Sequence, residues 1–196
     1  MVEARGAQAV QADLATSDGV AHLLAEAERR LSGLDILVNN AAAGFTPTAL
    51  ADVTDDDFDT IMAVNTRAAF QTIRHATRTM GDGGRIVNIS SINTTLSSPG
   101  IGPYPASKGA VEQLTSVAAL ELGPRGITVN TVSPGATDTD LLRGTNSAEG
   151  LAAMEAMTPL RRIGLPADVA AVVAFLVGPD GGWVTGQNIR ASGGLG

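Results

Sequence analysis

The sequence predicts a doubly wound α/β fold, in which helices cover both faces of a parallel sheet. Short runs rich in β-branched residues alternate along the chain with longer stretches of helical periodicity, and this alternation is typical of consecutive βα units. Three of the short runs each contain three residues of Ile, Leu or Val, as expected for strands buried on both faces. With 196 residues, 44% of them apolar and 17% charged, the chain fits one domain, residues 1–196.

Five strands are predicted from short apolar runs flanked by small or polar residues. The middle three are the continuous apolar runs, and the other two are expected at the edges of the sheet. In chain order the predicted strands are Ala9–Gln11, Asp35–Val38, Arg85–Ile89, Ile127–Val132 and Gln187–Arg190.

Two helices are predicted before the middle of the chain. The first follows Ser17, its predicted N-cap, and ends at Gly33. The second begins near Thr54 and runs to about Met80. Its first turn holds three aspartates, whose negative charge suits the amino end of a helix dipole.

Two further helices follow. One begins after Tyr104 and ends at Gly123-Pro124, and the other spans Pro166–Val177 with proline in its first turn. The segment Leu141–Met157 has no clear period. Such a segment between a strand and a helix is where a substrate lid could lie.

Composition argues against several classes of function. The formal net charge is -7, and no run of Lys or Arg is longer than a pair, so neither nucleic acid nor an anionic membrane is expected as a partner. The chain has no cysteine and only two, widely separated histidines, so no metal site is expected. No apolar stretch approaches the roughly 18 residues of a spanning helix, and no signal-peptide pattern occurs. We therefore expect a cytoplasmic protein.

Small polar residues follow four of the predicted strands. In an open parallel sheet, ligands bind beyond the carboxyl ends of the strands, so these residues mark the expected site. They are Asp13, Asn39-Asn40, Ser90-Ser91 and Pro134-Gly135.

Tyr104 and Lys108 lie four residues apart and therefore share one face of the third helix. An ammonium about 4–6 Å from a phenol favours the phenolate, so the pKa of Tyr104 is expected to fall from about 10 toward neutral. Tyr104 would then be a usable general acid and base. The spacing alone also fits an ordinary pair on an exposed helix face.

Ser91 provides the context for this pair, because it lies thirteen residues before Tyr104 at the end of a predicted strand. There its hydroxyl can hydrogen-bond a substrate carbonyl. With these residues the chain resembles the short-chain dehydrogenase/reductase family, in particular its bacterial 3-oxoacyl-(acyl carrier protein) reductases. Further segments extend the resemblance almost end to end, in the family's order and spacing: ADL at 12–14, DILVNNA at 35–41, VN at 64–65, GITVN at 126–130, SPG at 133–135 and VTGQ at 184–187.

The resemblance implies a Rossmann-type sheet and a hydride-transfer reaction that interconverts a ketone and a secondary alcohol, with NAD or NADP as cofactor. Tyr104 would exchange the proton with the alcohol or carbonyl oxygen, and Ser91 would polarise that oxygen. Lys108 would lower the pKa of Tyr104 and hold the nicotinamide ribose.

Asn65 is a polar residue on the apolar stripe of the second helix. A buried amide needs hydrogen-bond partners, so Asn65 fits either a satisfied core amide or a functional group. The resemblance implies that it is the catalytic asparagine, which holds a water beside Lys108.

The resemblance also implies residues along the cofactor besides Tyr104 and Lys108. They comprise a pair beside the adenine, a floor under the adenosine ribose, and a loop beside the nicotinamide and pyrophosphate. In that order they are Asp13 and Leu14; Asn40 and Ala41; and Gly135, Thr137 and Thr139. Asp13 by itself also fits a carboxylate at the start of a helix.

The family's opening strand, Gly-rich turn, helix and second strand have no counterpart in this sequence. Met1–Gly6 resembles the tail of the helix before the family's third strand. We therefore expect a sheet without the first two strands, weakened cofactor affinity, and an apolar edge at Asp35–Val38. Either Ala9–Gln11 shifts to pair with this edge or another chain covers it. Disorder of the N-terminal part is the remaining alternative.

Two functions fit these features. The first is an NAD(P)-dependent oxidoreductase whose natural start lies upstream of Met1. The second is a catalytically idle fold remnant that binds little or no cofactor and acts as a partner subunit. The joint presence of four catalytic-type residues favours the first.

The implied partners are a small carbonyl or alcohol substrate and further copies of the chain. A homodimer or homotetramer would form through the two long helices and the last strand. The substrate pocket is expected to be shaped by Asn93, Thr94, Ile101 and the Leu141–Met157 segment.

Overall fold

The computed structural model describes residues 7–196, so the expectation for Met1–Gly6 lies outside the described residues. The described chain forms a four-stranded, fully parallel sheet in the order β1-β2-β3-β4. Helices cover both of its faces, and the α/β fold class is confirmed. In chain order the elements are α1 (Ser17–Arg30), β1 (Ile36–Asn39), α2 (Asp55–Met62), a π-helical turn (Ala63–Arg67), α3 (Ala68–Thr79), β2 (Arg85–Ile89), α4 (Pro103–Leu122), β3 (Thr128–Pro134), α5 (Asp140–Thr145), α6 (Ala148–Met157), α7 (Pro166–Val177) and β4 (Asn188–Ala191).

The core consists of two layers, one on each face of the sheet. Neighbouring residues Ile86 and Val87 of β2 are both fully buried but belong to opposite layers, because successive side chains of a strand point to opposite faces. One layer lies under α3 and α4, and the other lies under α7. Among residues 7–196, no helix is long and apolar enough to span a bilayer.

Several predicted elements are confirmed. Strand β2 and helix α7 have the predicted bounds, and Thr54 caps the second helical region by accepting the N–H of Asp57 at 3.1 Å. That region continues to Thr79, as expected, but a π-helical turn interrupts it at Ala63–Arg67. Such single turns with wider hydrogen bonding occur often at functional sites.

The start of α1 and the lid segment differ from the predictions. Thr16, not Ser17, is the N-cap, because its hydroxyl accepts the N–H of Gly19 at 3.0 Å. The segment predicted to lack a period forms two short helices, α5 and α6, which the hydroxyls of Thr139 and Ser147 cap. The caps, rather than an apolar stripe, define these helices.

The predicted strand at Ala9–Gln11 is wrong, and the alternative in which it pairs with β1 does not occur. These residues are coil, and the carbonyl of Ala9 accepts a hydrogen bond from Arg30 at 3.2 Å instead. A run of three residues gains little from ladder bonds without a neighbouring strand on which to pair. Strand β1 is consequently an edge of the described sheet, and Ile36 and Val38 are 47% and 42% exposed rather than buried on both sides.

Candidate active site

The carboxyl ends of the four parallel strands meet at one edge of the sheet, and the candidate site lies there. Ser91 directly follows Ser90 beyond β2 and is 8% exposed. It caps a short 3-10 turn by accepting the N–H of Asn93 at 3.2 Å. A hydroxyl has one proton to donate, so this contact leaves the Ser91 proton available for another oxygen.

Tyr104 lies in the first turn of α4, where Pro103 begins the helix. Proline suits this position because the N–H it lacks would have no helical partner. One turn later, the side chain of Lys108 is buried, with 2% of the residue exposed. Its ammonium donates to the carbonyl of Ile89 at 2.8 Å and lies 5.9 Å from the centre of the Tyr104 ring. The predicted sharing of one helix face by Tyr104 and Lys108 is confirmed.

The expected direction of the Tyr104 pKa is wrong for this structure. Burial raises the pKa of Tyr104 above its ordinary value, and the Ser91 hydroxyl opposes this by favouring the phenolate. Burial also lowers the pKa of Lys108 to about 8. Desolvation therefore dominates both groups, because each charged form loses water on entering the protein interior.

Asn65 lies in the π-helical turn and is 2% exposed. Its Nδ2 donates to the hydroxyl of Ser107 at 3.0 Å, and its Oδ1 accepts the N–H of Ala43 at 2.8 Å. The amide thus links the loop after β1 to α4. These partners account for a polar side chain on the apolar stripe, and its catalytic role remains a proposal.

Besides Tyr104 and Lys108, the residues predicted along the cofactor lie in three groups. Asn40 and Ala41 follow β1 and are exposed, while Gly135 follows β3. A Cβ at Gly135 would lie 2.9 Å from the Cα of Ser192, so glycine is required there for close packing against the loop after β4.

Thr137 and Thr139 lie in the loop that follows β3. The hydroxyl of each forms hydrogen bonds with nearby backbone groups. Thr137 donates to the carbonyl of Gly135 at 3.0 Å, and Thr139 caps α5. Asp13 and Leu14 lie in the coil before α1, where the Asp13 carboxylate accepts the N–H of Ala15 at 2.9 Å. In the described contacts the Asp13 carboxylate therefore stabilises the turn in which it lies.

Two residues at the site were not predicted. The ring of Phe45 lies 4.8 Å from the Tyr104 ring, centre to centre, with a tilt of 32°. Glu112 accepts the hydroxyls of Ser90 at 2.6 Å and of Thr94 at 2.8 Å. Phe45 has no signal in the sequence, but the spacing of Glu112, four residues after Lys108, places it on the same helix face.

A cavity of about 480 Å³ lies beside Tyr104, between the loop after β1 and helix α5. Its described lining contains Asp57 but neither Lys nor Arg. Of the predicted pocket residues, Ile101 and Leu141 line it, whereas Asn93 and Thr94 do not. Its apolar walls are Phe45, Val53, Ile61, Ile101, Pro103 and Leu141.

The whole sequence, residues 1–196, matches the family profile described as enoyl-(acyl carrier protein) reductase. An uncharacterised oxidoreductase of Methylorubrum extorquens is 40% identical over 189 residues, which cover 95% of this chain and 76% of the relative.

Two solved structures are also similar to this chain. A blue fluorescent protein from a metagenomic library, in complex with NADPH, has a TM-score of 0.89 and 39% identity, over 94% of this chain and 74% of that one. The angucycline C-6 ketoreductase LanV with bound NADP has a TM-score of 0.86 and 39% identity, over the same shares of both chains.

Proposed function

This chain belongs to the short-chain dehydrogenase/reductase family and is an NAD(P)-dependent oxidoreductase, and we propose that it interconverts a ketone and a secondary alcohol with Tyr104 as its acid and base. The observation that carries the proposal is the placement of Ser91, Tyr104 and Lys108 at one edge of the sheet, with the lysine buried beside the tyrosine ring. An idle fold remnant would not need to keep a costly buried amine there.

We assign the cofactor to residues of α4, of the loops that follow β1 and β3, and of the coil before α1. The donor set fits a dinucleotide, because amide, ammonium and hydroxyl groups pair with ribose and phosphate oxygens. Lys108 and Tyr104 would hold the nicotinamide ribose, and the remaining binding residues would be Asp13, Leu14, Asn40, Ala41, Gly135, Thr137 and Thr139. When bound, NAD(P)H supplies hydride to the carbonyl carbon, and NAD(P)⁺ accepts it in the reverse direction.

The residues of this chain would manage the proton. As negative charge develops on the substrate oxygen, Ser91 would donate its free proton as a hydrogen bond, and the Tyr104 phenol would transfer its proton to that oxygen. Lys108, with a pKa of about 8, carries an exchangeable proton near neutral pH and stabilises the resulting phenolate. In the oxidative direction, Tyr104 would take the proton from the alcohol.

Asn65 would act by holding neighbouring segments of the site in position. By joining Ala43 to Ser107, it fixes the loop after β1 against the helix that carries Tyr104 and Lys108. A water held beside Lys108, as the family implies, would connect this amide to the proton path.

The cavity beside Tyr104 favours an uncharged, ring-containing ketone. Six apolar side chains line it together with four threonines and Asp57, the Phe45 ring lies against Tyr104, and no cationic side chain of residues 7–196 lines it to neutralise an anionic substrate. The angucycline C-6 ketoreductase LanV is among the similar structures. The test is NADPH oxidation with tetralone and with acetoacetate as substrates. A higher kcat/KM for tetralone supports the proposal, and a preference for acetoacetate would contradict it.

A second copy of the chain is the partner we propose for the exposed face of α3 and α4. Phe70 and Val117 are 42% and 53% exposed on either side of an apolar groove, and a twofold axis would bury the same patch on both copies. Sedimentation should show a dimer or tetramer that Val117→Asp dissociates, whereas Leu50→Asp, at an exposed site outside the groove, should not. A monomer at all concentrations would contradict this.

We also propose a cytoplasmic location, since the reaction draws on a cellular pool of nicotinamide cofactor. Fractionation of cells that express the chain tests this, and recovery with the membranes would contradict it.

A further inference from the structure

A single carboxylate oxygen on α4 accepts hydrogen bonds from hydroxyl groups in two segments of the active site. Oε1 of Glu112 accepts from Ser90 Oγ at 2.6 Å and from Thr94 Oγ1 at 2.8 Å. Ser133 Oγ is 3.5 Å away but lies 2.7 Å from Asn188 Oδ1, so its one proton serves Asn188. Thr94 Oγ1 also lies 3.0 Å from the carbonyl of Ser91, but the charged carboxylate oxygen is nearer, so the hydroxyls of Ser90 and Thr94 both bind it.

These two donors lie on either side of Ser91. Ser90 is at the end of β2 and is 3% exposed, and Thr94 ends the short turn that Ser91 caps. Hydrogen bonds to a charged acceptor are shorter and roughly twice as strong as neutral ones. Glu112 thus fixes the backbone on both sides of the Ser91 hydroxyl.

The same carboxylate is attached to the helix that carries the other reacting groups. Glu112 lies one turn after Lys108 and two turns after Tyr104 on α4, so the three side chains project from a similar face. The Lys108 ammonium binds the carbonyl of Ile89 instead of Glu112. The carboxylate is therefore not the lysine's counterion, and its contacts are with the serine loop.

We infer that Glu112 is a positioning residue, which holds Ser91 at a fixed distance from Tyr104 by binding the hydroxyls of Ser90 and Thr94. This inference rests on the proposed function of Ser91 and Tyr104. A purely structural Glu112 would change stability alone, whereas a positioning residue also changes how Ser91 acts on the phenol.

The chain supplies a direct probe of that action, because Tyr104 is its only tyrosine. Labelling with [ζ-13C]tyrosine gives one NMR resonance, whose titration reports the Tyr104 phenol without substrate or turnover. The Ser91 hydroxyl favours the phenolate, so displacement of Ser91 should move the titration midpoint upward.

The experiment compares Glu112→Leu and Glu112→Gln with Ser91→Ala, each in the full chain. Glu112→Leu should move the midpoint upward, close to the effect of Ser91→Ala. Glu112→Gln, which keeps an oxygen acceptor at the same place, should move it less. Glu112→Leu added to Ser91→Ala should move it no further. Glu121→Leu, at an exposed position of the same helix, is the matched control and should leave it unchanged.

Turnover provides a second readout. With NADPH and tetralone, Glu112→Leu should lower kcat at least tenfold while KM for NADPH stays within about threefold, and Glu112→Gln should recover most of kcat. A Glu112→Leu variant that melts earlier but leaves the midpoint and kcat unchanged would overturn the inference. If no variant turns over, the proposed function fails, and the tyrosine titration still decides the role of Glu112.

Discussion

The ammonium of Lys108 lies 5.9 Å from the centre of the Tyr104 ring and donates to the carbonyl of Ile89 rather than to the phenol. These residues are the only lysine and the only tyrosine of the chain. Each can therefore be titrated without interference from another residue of its kind. The structure makes separate predictions for the two groups.

The Tyr104 phenol should titrate above 10 in the folded chain, because burial raises its pKa and outweighs the Ser91 hydroxyl. Ser91→Ala should raise the midpoint further, and Lys108→Met should change it less than Ser91→Ala does. The single tyrosine resonance measures all three midpoints, with circular dichroism confirming that the chain stays folded. A midpoint below 9 in the unmodified chain would show that Lys108, not burial, controls the phenol.

Lys108 should make stability depend on alkaline pH. Its pKa falls from 10.5 in the unfolded chain to about 8 when folded, so the unfolded chain holds the proton more strongly between these values and stability rises with pH. Below pH 8 the folded chain carries the full cost of the buried charge, about 3 kcal/mol.

Lys108→Met should abolish this dependence. Urea denaturation at pH 7 and pH 9.5, below the titration of Tyr104, should give a higher free energy of unfolding for Lys108→Met at pH 7, with a smaller difference at pH 9.5. An unmodified chain that is no more stable at pH 9.5 than at pH 7 would contradict the lowered pKa.

Phe45→Ala should expose Tyr104 to water and return its pKa toward 10, because the neighbouring ring contributes to the burial. The loss of this ring from the cavity wall should also lower kcat/KM for tetralone at least about tenfold, because even one methylene contact in an apolar pocket changes kcat/KM by roughly that much. Phe58→Ala, on an exposed face of α2, serves as the control. If the two substitutions changed the pKa of Tyr104 and kcat/KM equally, Phe45 would have no specific role at the site.

Asn65→Ala should cost about 1–3 kcal/mol of stability, because it leaves the buried Ser107 hydroxyl and the Ala43 N–H without their partner. Ser107→Ala breaks one of the same bonds from the other side and should cost a similar amount. If Asn65 also serves catalysis, only its substitution should lower kcat more than tenfold. Equal loss of kcat in both variants would assign Asn65 a structural role alone.

Local patterns were sufficient to predict much of the fold. Strand β2 and helix α7 have the predicted bounds, because an uninterrupted apolar run and a proline-initiated helix are signals contained within each segment. Ala9–Gln11 was predicted wrongly because a strand depends on a neighbour that no local pattern supplies. The π-helical turn around Asn65 likewise depends on contacts with Ser107 and Ala43, which are distant in sequence.

In the candidate site, too, some features follow from local sequence patterns and others depend on contacts in the folded chain. Tyr104, Lys108 and Ser91 were predicted from spacing and resemblance, and the structure brings them to one edge of the sheet. The sign of the Tyr104 pKa was not predictable, because it depends on burial. The contact of Phe45 with the phenol depends on how a loop folds back over α4, so the spacing of residues along the chain does not predict it.

The role of Tyr104 is tested by comparing the unmodified chain with Tyr104→Phe. NADPH binding is measured by nicotinamide fluorescence and tetralone reduction by NADPH absorbance, in the same samples. We predict turnover by the unmodified chain, a loss of kcat of at least about a thousandfold in Tyr104→Phe, and NADPH affinity that falls by no more than about tenfold, since one hydrogen bond to the ribose is lost. Turnover that survives Tyr104→Phe, or an unmodified chain that binds NADPH but reduces no ketone, would contradict this prediction.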